Sequence, residues 1–311
     1  MTNQHIQWYP GHMHKASKEI REMFSRVDVF IELLDGRVPF SSSNPMLAEM
    51  RGSKPCLTVI TKTDLSDPGL NGVWKDHFEK IAGVKVLLAD ARKNSSVKQV
   101  PGVCRSLYTE NGGRQPAITA MVMGIPNVGK STLINGLAGR TVAKTGNEPA
   151  VTKRQQFIEI TKGFVLMDTP GLMWPKVENM NSGYRLAVTG AIKDTAISHI
   201  EVVLFAVGYL KQSYSDNLRE RYNLTDTTAG DSDLLEEIGR RRGCLMKGGK
   251  VDFDRAAKIV LSDIRDGRLG RITWETPKMI AQEWKEVECV REQKEQKKQA
   301  RKEQWKKGPR G

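Results

Sequence analysis

The order of two short motifs constrains this sequence more than anything else in it. Gly124-Ile125-Pro126-Asn127-Val128-Gly129-Lys130-Ser131 fits the pattern GxxxxGK[ST] and stands in mid-chain. An apolar run, Ala117 to Met123, precedes it, and Lys130 to Ala138 follow as the helix that such a loop opens. That context makes a phosphate-binding loop, because its glycines let the backbone curl until successive N–H groups face phosphate oxygens. Thr61-Lys62-Thr63-Asp64 closes another apolar run, Pro55 to Ile60, about sixty residues earlier, and reads as a base-selecting loop. In the ordinary arrangement the phosphate loop comes first and the base loop last. The inversion predicts a circularly permuted nucleotide-binding domain.

Alternating strand-like and helical segments set the expected fold class. Val27 to Asp35, Pro55 to Ile60 and Val84 to Ala89 read as strands, the first two nearly continuous in apolar residues, as strands buried on both faces are. Helical segments fall at 15–26, around 71–82 and near 95–110, and Asn111 to Pro116 reads as a turn or linker. Residues 155–160 and 163–168 read as adjacent strands. Beyond about residue 180 the pattern turns helical, clearest over Asp231 to Arg242 and Asp252 to Asp266. The expected class is α/β: a circularly permuted P-loop domain with a mostly parallel sheet over 1–180, then a smaller all-α domain over 181–280. Residues 281–311 form a basic, charged tail, either a solvated helix or a disordered arm.

Each motif carries a specific chemistry. Lys130 is expected to reach the β- and γ-phosphates and Ser131 to hold Mg²⁺, with Asn127, Val128, Gly129 and Thr132 completing the nucleotide contacts. Asp168-Thr169-Pro170-Gly171 ends the strand at 163–168, about forty residues after the phosphate loop. There Asp168 is expected to hold Mg²⁺ through water, and the Gly171 amide to sense the terminal phosphate. Thr152, between the two motifs, is the candidate second hydroxyl ligand of Mg²⁺, its alternative being an ordinary loop threonine.

In the base loop one carboxylate, Asp64, can accept both the N1–H and the exocyclic amine of guanine. Adenine offers neither donor there and would leave a buried Asp64 unpaired. Thr61, Lys62, Thr63 and Asp64 therefore predict GTP and GDP as ligands, and the chain as a GTPase. Thr61 stands where Asn is commonest, which predicts one fewer contact to the base. Asp90 and Ala91, after the third strand, are the candidate source of a backbone amide for the guanine carbonyl. Asn127 is either a turn residue or a ligand of a monovalent cation, K⁺, whose charge would partly replace an arginine finger. The residue after Gly171 is Leu172, which cannot orient or polarise water, so slow basal hydrolysis is expected.

With 311 residues the chain is long enough for two domains, and its formal net charge of +13 favours an acidic partner, most simply nucleic acid. The tail from 281 onward holds ten Lys/Arg against six Glu, so basic surface must also lie on the body. Cys56, Cys104, Cys244 and Cys289 form no CxxC pair and read as reduced thiols. No apolar stretch is long enough to span a membrane, and Met1 to His5 lacks an apolar signal core. A cytoplasmic protein without a membrane partner, monomeric when free, is expected.

These residues together resemble the circularly permuted ribosome-biogenesis GTPases of the RbgA/YlqF type. The resemblance runs from Gln7 to about Pro277. It is carried by Trp8-Tyr9-Pro10-Gly11-His12-Met13, Asp35-Gly36-Arg37-Val38-Pro39, Asn44-Pro45, the phosphate loop, Arg185 to Asp194, and Gly243-Cys244-Leu245-Met246. It implies a bacterial factor acting late in assembly of the large (50S) ribosomal subunit. The GTPase domain would switch while the helical domain and basic surfaces grip ribosomal RNA. It also implies that an apolar residue, here Leu172, replaces the catalytic glutamine, and that His12 supplies the missing function. Without that resemblance His12 would read as an RNA-contacting or core histidine. Thr61, Ala150 and the Asp90-Ala91 pair depart from the family pattern. The competing readings are a GTP-gated RNA-binding placeholder whose hydrolysis is incidental, and a GTPase serving the small subunit or transfer RNA.

Overall fold

Apolar runs without alternation become strands covered on both faces, and three of them make the centre of the sheet. In the computed structural model, residues 6, 8–90, 94–110, 112–114, 117–143 and 156–307 are described. The chain opens with α1 (Gly11–Met23), β1 (Val29–Asp35), α2 (Pro39–Ser42), α3 (Pro45–Arg51), β2 (Cys56–Thr61), α4 (Pro68–Glu79) and β3 (Val84–Leu88). It continues through α5 (Asn94–Val97), α6 (Val100–Glu110), β4 (Ile118–Gly124), α7 (Lys130–Ala138), β5 (Gln156–Thr161) and β6 (Phe164–Asp168). Then come the helices α8 (Met180–Val188), α9 (His199–Ser213), α10 (Ser215–Tyr222), α11 (Asp231–Arg241), α12 (Phe253–Arg265) and α13 (Pro277–Lys307), with an isolated antiparallel bridge between Leu245 and Val251.

Among the described residues the six strands form one sheet in the order β3-β2-β1-β4-β6-β5. All neighbours are parallel except the β5–β6 pair, as a short connection of two residues at Lys162 and Gly163 requires. Every residue of β2 is buried, and β1 and β4 are buried except at one partly exposed position each. The order runs outward from β1 in both directions, so the topological switch lies between β1 and β4. The α/β class with a helical C-terminal part is thus what the chain adopts.

The helix expected near 95–110 is split into α5 and α6, and two further elements differ from the expected bounds. The first helix starts at Gly11 rather than near residue 15, because Pro10 takes extended dihedrals at the N-cap. His12 therefore lies on a helical first turn. The charged tail is helical, but it begins at Pro277, inside the segment assigned to the body. Its first turns are anchored by Ile280, which is buried, by Glu283, and by Trp284 against Phe40. From Arg291 to Gln299 every residue is exposed.

The anchor is ionic. Arg185 on α8 is buried and forms a two-pronged bond to Glu283 of α13, with Nη1 to Oε2 at 2.8 Å and Nη2 to Oε1 at 2.6 Å. Its Nε donates to the Trp274 carbonyl at 2.9 Å, and Glu275, fully buried, lies 3.7 Å from Nη1. Glu275 in turn accepts the Ser41 N–H at 2.9 Å and the Ser41 hydroxyl, which joins α2 to the same group. Removing one side of such a buried pair leaves an uncompensated charge, and that costs more than the pair contributes. Arg185→Met is expected to destabilise the protein by about 3–5 kcal/mol in urea unfolding. A loss within experimental error of zero would show that water reaches Glu275 and Glu283.

Candidate functional site

Five parallel strands end on one side of the sheet, and each end leads into a segment singled out in the sequence. β4 runs into the phosphate loop, β6 into Asp168-Thr169-Pro170-Gly171, β2 into Thr61 to Asp64, β1 into Asp35 to Arg37, and β3 into Asp90. Crevices at the carboxyl ends of parallel strands, next to a topological switch, are where such sheets take ligands. Permutation changes which chain segment supplies each strand and leaves this gathering intact.

The phosphate loop turns on left-handed residues, Asn127 at φ 59° and Gly129 at φ 100°, and Gly129 stands at the N-cap of α7. Gly124 lies so close to β1 that an added Cβ would meet the Leu33 carbonyl at 2.8 Å. Lys130 is buried and curls back over the loop, donating from Nζ to the carbonyls of Ile125 at 2.7 Å and Gly124 at 3.1 Å. Burial pushes its ammonium down to about 8, against the pull of Asp168. Val128 is buried, while Ser131 and Thr132, at the start of α7, are partly exposed.

Asp168 is paired in register with Val122 of β4, and the hydroxyl of Thr169 donates to the Val122 carbonyl at 2.7 Å. Burial raises the Asp168 carboxyl to about 6 despite Lys130 nearby. Both of its carboxylate oxygens are buried without a hydrogen-bond partner among the described residues. Buried carboxylate oxygens in native folds have partners, so this pair is suited to a water-bound hard cation such as Mg²⁺. Gly171 packs on the phosphate loop: an added Cβ would come within 2.9 Å of Pro126 Cα and 3.1 Å of Lys130 Nζ. Next to it the Leu172 side chain is buried, its N–H donates to the Gly124 carbonyl at 3.2 Å, and its own carbonyl accepts from Asn44 Nδ2 at 2.9 Å.

Thr61 does something the sequence did not suggest. Its buried hydroxyl is 2.7 Å from the Val128 carbonyl and 3.0 Å from that of Leu34, so it ties the base loop to the phosphate loop. Lys62, at φ 55°, sends its ammonium to Asp35 at 2.8 Å. Arg37 grips the same carboxylate with Nε at 3.0 Å and Nη2 at 2.8 Å. Burial alone would raise Asp35, but the two cations hold it well below the usual carboxylate range. Burial, and then the Arg37 charge, push Lys62 down to about 8 even with Asp35 beside it. Arg37 Nη2 also reaches the Thr189 carbonyl at 3.1 Å, and Asn127 Nδ2 donates to the Gly190 carbonyl at 2.8 Å. The end of α8 is therefore bound to both the loop after β1 and the phosphate loop.

Thr63, Asp64 and Asp90 are partly exposed at the same edge. His12 is exposed on the first turn of α1. Ala91 and Thr152 lie outside the described residues. Sequence reasoning missed the Asp35–Arg37–Lys62 cluster, although Asp35-Gly36-Arg37 ends an apolar strand just as Asp168 does. A carboxylate at a strand's carboxyl end with a cation two residues on was the available signal.

The comparisons agree with this geometry. Residues 119–234 match the family model described as 50S ribosome-binding GTPase. The ribosome biogenesis GTPase A of Bacillus cereus is 42% identical over 294 residues, covering 92% of this chain and 99% of the relative. A GDP-bound YlqF structure superposes with a TM-score of 0.62 at 22% identity, covering 84% of this chain and 99% of that one. The GNP-bound YlqF of T. maritima gives 0.60 at 22%, covering 85% and 98%. The chain belongs to the ribosome biogenesis GTPase A family and is a GTPase.

Proposed function

We propose that this GTPase acts in late maturation of the large (50S) ribosomal subunit in the cytoplasm, gripping ribosomal RNA and hydrolysing GTP when the particle activates it. The observation that carries the catalytic part is the buried Asp168 carboxylate, whose two oxygens have no hydrogen-bond partner among the described residues, set beside Lys130 and Gly171. Ser131, Asp168 and Thr152 would hold Mg²⁺, which when bound neutralises charge on the phosphate oxygens. Lys130 leaves the Gly124 and Ile125 carbonyls for the β- and γ-phosphates, the Gly171 amide senses the terminal phosphate, and Asp64 takes the guanine edge. Asp90 and Ala91 would supply a backbone amide to the guanine carbonyl. Asn127, its Nδ2 held by Gly190, would offer Oδ1 to K⁺.

His12, not Leu172, is the group assigned to orient water. The imidazole is exposed on α1, where a docked particle can press it toward the phosphates, whereas the Leu172 side chain is in the core. Two basic surfaces suit RNA. One is the exposed run of α13 from Arg291, and the other is the turn before α12, where exposed Lys247 and Lys250 follow exposed Leu245 and Met246. The permuted GTPase domain takes 1–180, the helical RNA-binding domain 181–280 and the basic tail 281–311. Among the described residues no helix is long and apolar enough to cross a membrane.

The test is GTP turnover with purified large or small subunits, in K⁺ and in Na⁺. Large subunits are expected to raise turnover about tenfold or more, small subunits not at all, and His12→Ala to remove the stimulation while keeping the basal rate. Stimulation by neither subunit would overturn the proposal. Leu172→Gln is expected to cost about 2–4 kcal/mol in urea unfolding, because it buries an amide, and to leave basal turnover no faster. Faster basal turnover would place that side chain at the phosphates. Gly171→Ala must displace the segment from the Pro126 backbone. It is expected to weaken binding of a GTP analogue about tenfold more than binding of GDP, as titration calorimetry would show.

A further inference from the structure

The extended stretch 271–275, between α12 and α13, lies along the base loop and the loop after β1. The Ile272 N–H donates to the Leu65 carbonyl at 2.9 Å, and the Trp274 N–H to the Arg37 carbonyl at 2.7 Å. The Thr273 hydroxyl accepts from the Asp67 N–H at 3.0 Å and donates to the Gly36 carbonyl at 3.2 Å. Arg271 reaches furthest, with Nη2 donating to the Thr63 carbonyl at 2.7 Å and Nε to the Ser66 carbonyl at 3.1 Å. From α9, the Tyr209 hydroxyl donates to the Thr273 carbonyl at 2.8 Å. The Tyr214 hydroxyl, just beyond α9, donates to Asp67 Oδ2 at 2.9 Å. The Leu65 side chain is so close to Gly267, after α12, that an added Cβ there would meet it at 2.6 Å.

At its start the base loop is tied to the phosphate loop by Thr61 and to Asp35 by Lys62. Leu65 and Ser66 both turn back onto the Lys62 carbonyl, and Lys62 sits in the left-handed region, which an L-residue enters at a cost. The carbonyls of Thr63, Leu65 and Ser66, on either side of Asp64, are instead bonded to the 271–275 stretch.

We infer that this strap, and not the loop itself, positions Asp64 against guanine, with Arg271 as the positioning residue, so that the C-terminal helices set base preference. The inference rests on the reading of Asp64 as the guanine acceptor. A carboxylate moved by a fraction of an ångström loses the exocyclic amine while the phosphate loop keeps its grip.

The test compares binding of GDP and inosine diphosphate, which lacks that amine, to the full chain by titration calorimetry. The ratio of the two affinities in one preparation is independent of the active fraction. Arg271→Ala is expected to lower the preference for GDP about tenfold, with Arg271→Lys intermediate. Thr273→Val, which keeps side-chain volume, is expected to lower it in the same direction should Arg271→Ala not fold. Equal weakening of both ligands, or an unchanged ratio in both variants, would overturn the inference. Asp64→Asn separates the two levels. If it abolishes the preference while the strap variants do not, the loop reads guanine unaided and the strap proposal fails. If it leaves the preference intact, the reading of Asp64 fails and the strap proposal with it.

Discussion

A single carboxylate at the end of the central strand must stay charged while sealed from water, and much of the molecule is arranged around that requirement. Asp35 is 3% exposed, and moving an isolated carboxylate to such a place costs several kcal/mol. Two cations offset the cost, and each belongs to a different loop: Lys62 to the base loop, Arg37 to the turn after β1. Arg37 is held in turn by the end of α8 through its guanidinium and by Trp274 through its carbonyl. Withdrawing any of these elements exposes a charge that cannot be left alone. Nucleotide loops and C-terminal helices therefore form one electrostatic unit although the chain separates them widely.

The fold was legible because its signals are local. The central strands β1, β2 and β4 are apolar runs that cannot be satisfied in water, and Gly129 with Lys130 marks the strand-to-helix turn wherever it occurs in the chain. The helix α7 was read at its observed bounds, since the left-handed Gly129 and Gly139 punctuate both ends. The start of α1 was placed late, near residue 15 rather than at Gly11. A proline ahead of a helix fixes only its own φ and does not say where amphipathic spacing begins, and Met13, Ala16 and Ile20 already carry that spacing from the first turn.

The connections between distant segments were not legible. Nothing in the spacing of Arg185, Glu275 and Glu283 announces a buried network, because pairs at large separation have no periodicity to detect. A glutamate at the head of a charged tail reads as solvated, and only the packed fold shows that Glu283 neutralises Arg185. Thr61 has a second part to play that was hidden for the same reason. As a departure from Asn, it predicts one fewer contact to the base. In the fold its short hydroxyl reaches a phosphate-loop carbonyl.

The permuted strand order has a consequence during synthesis. β1 is the sheet's centre, yet it leaves the ribosome with β2 and β3 to cover one edge, and β4, its partner on the other, follows about ninety residues later. At roughly 5–20 residues per second, that edge stays open for about 4–18 s in the nascent chain. Open apolar edges invite pairing with other chains. A protein of this family therefore begins life with its most adhesive surface uncovered.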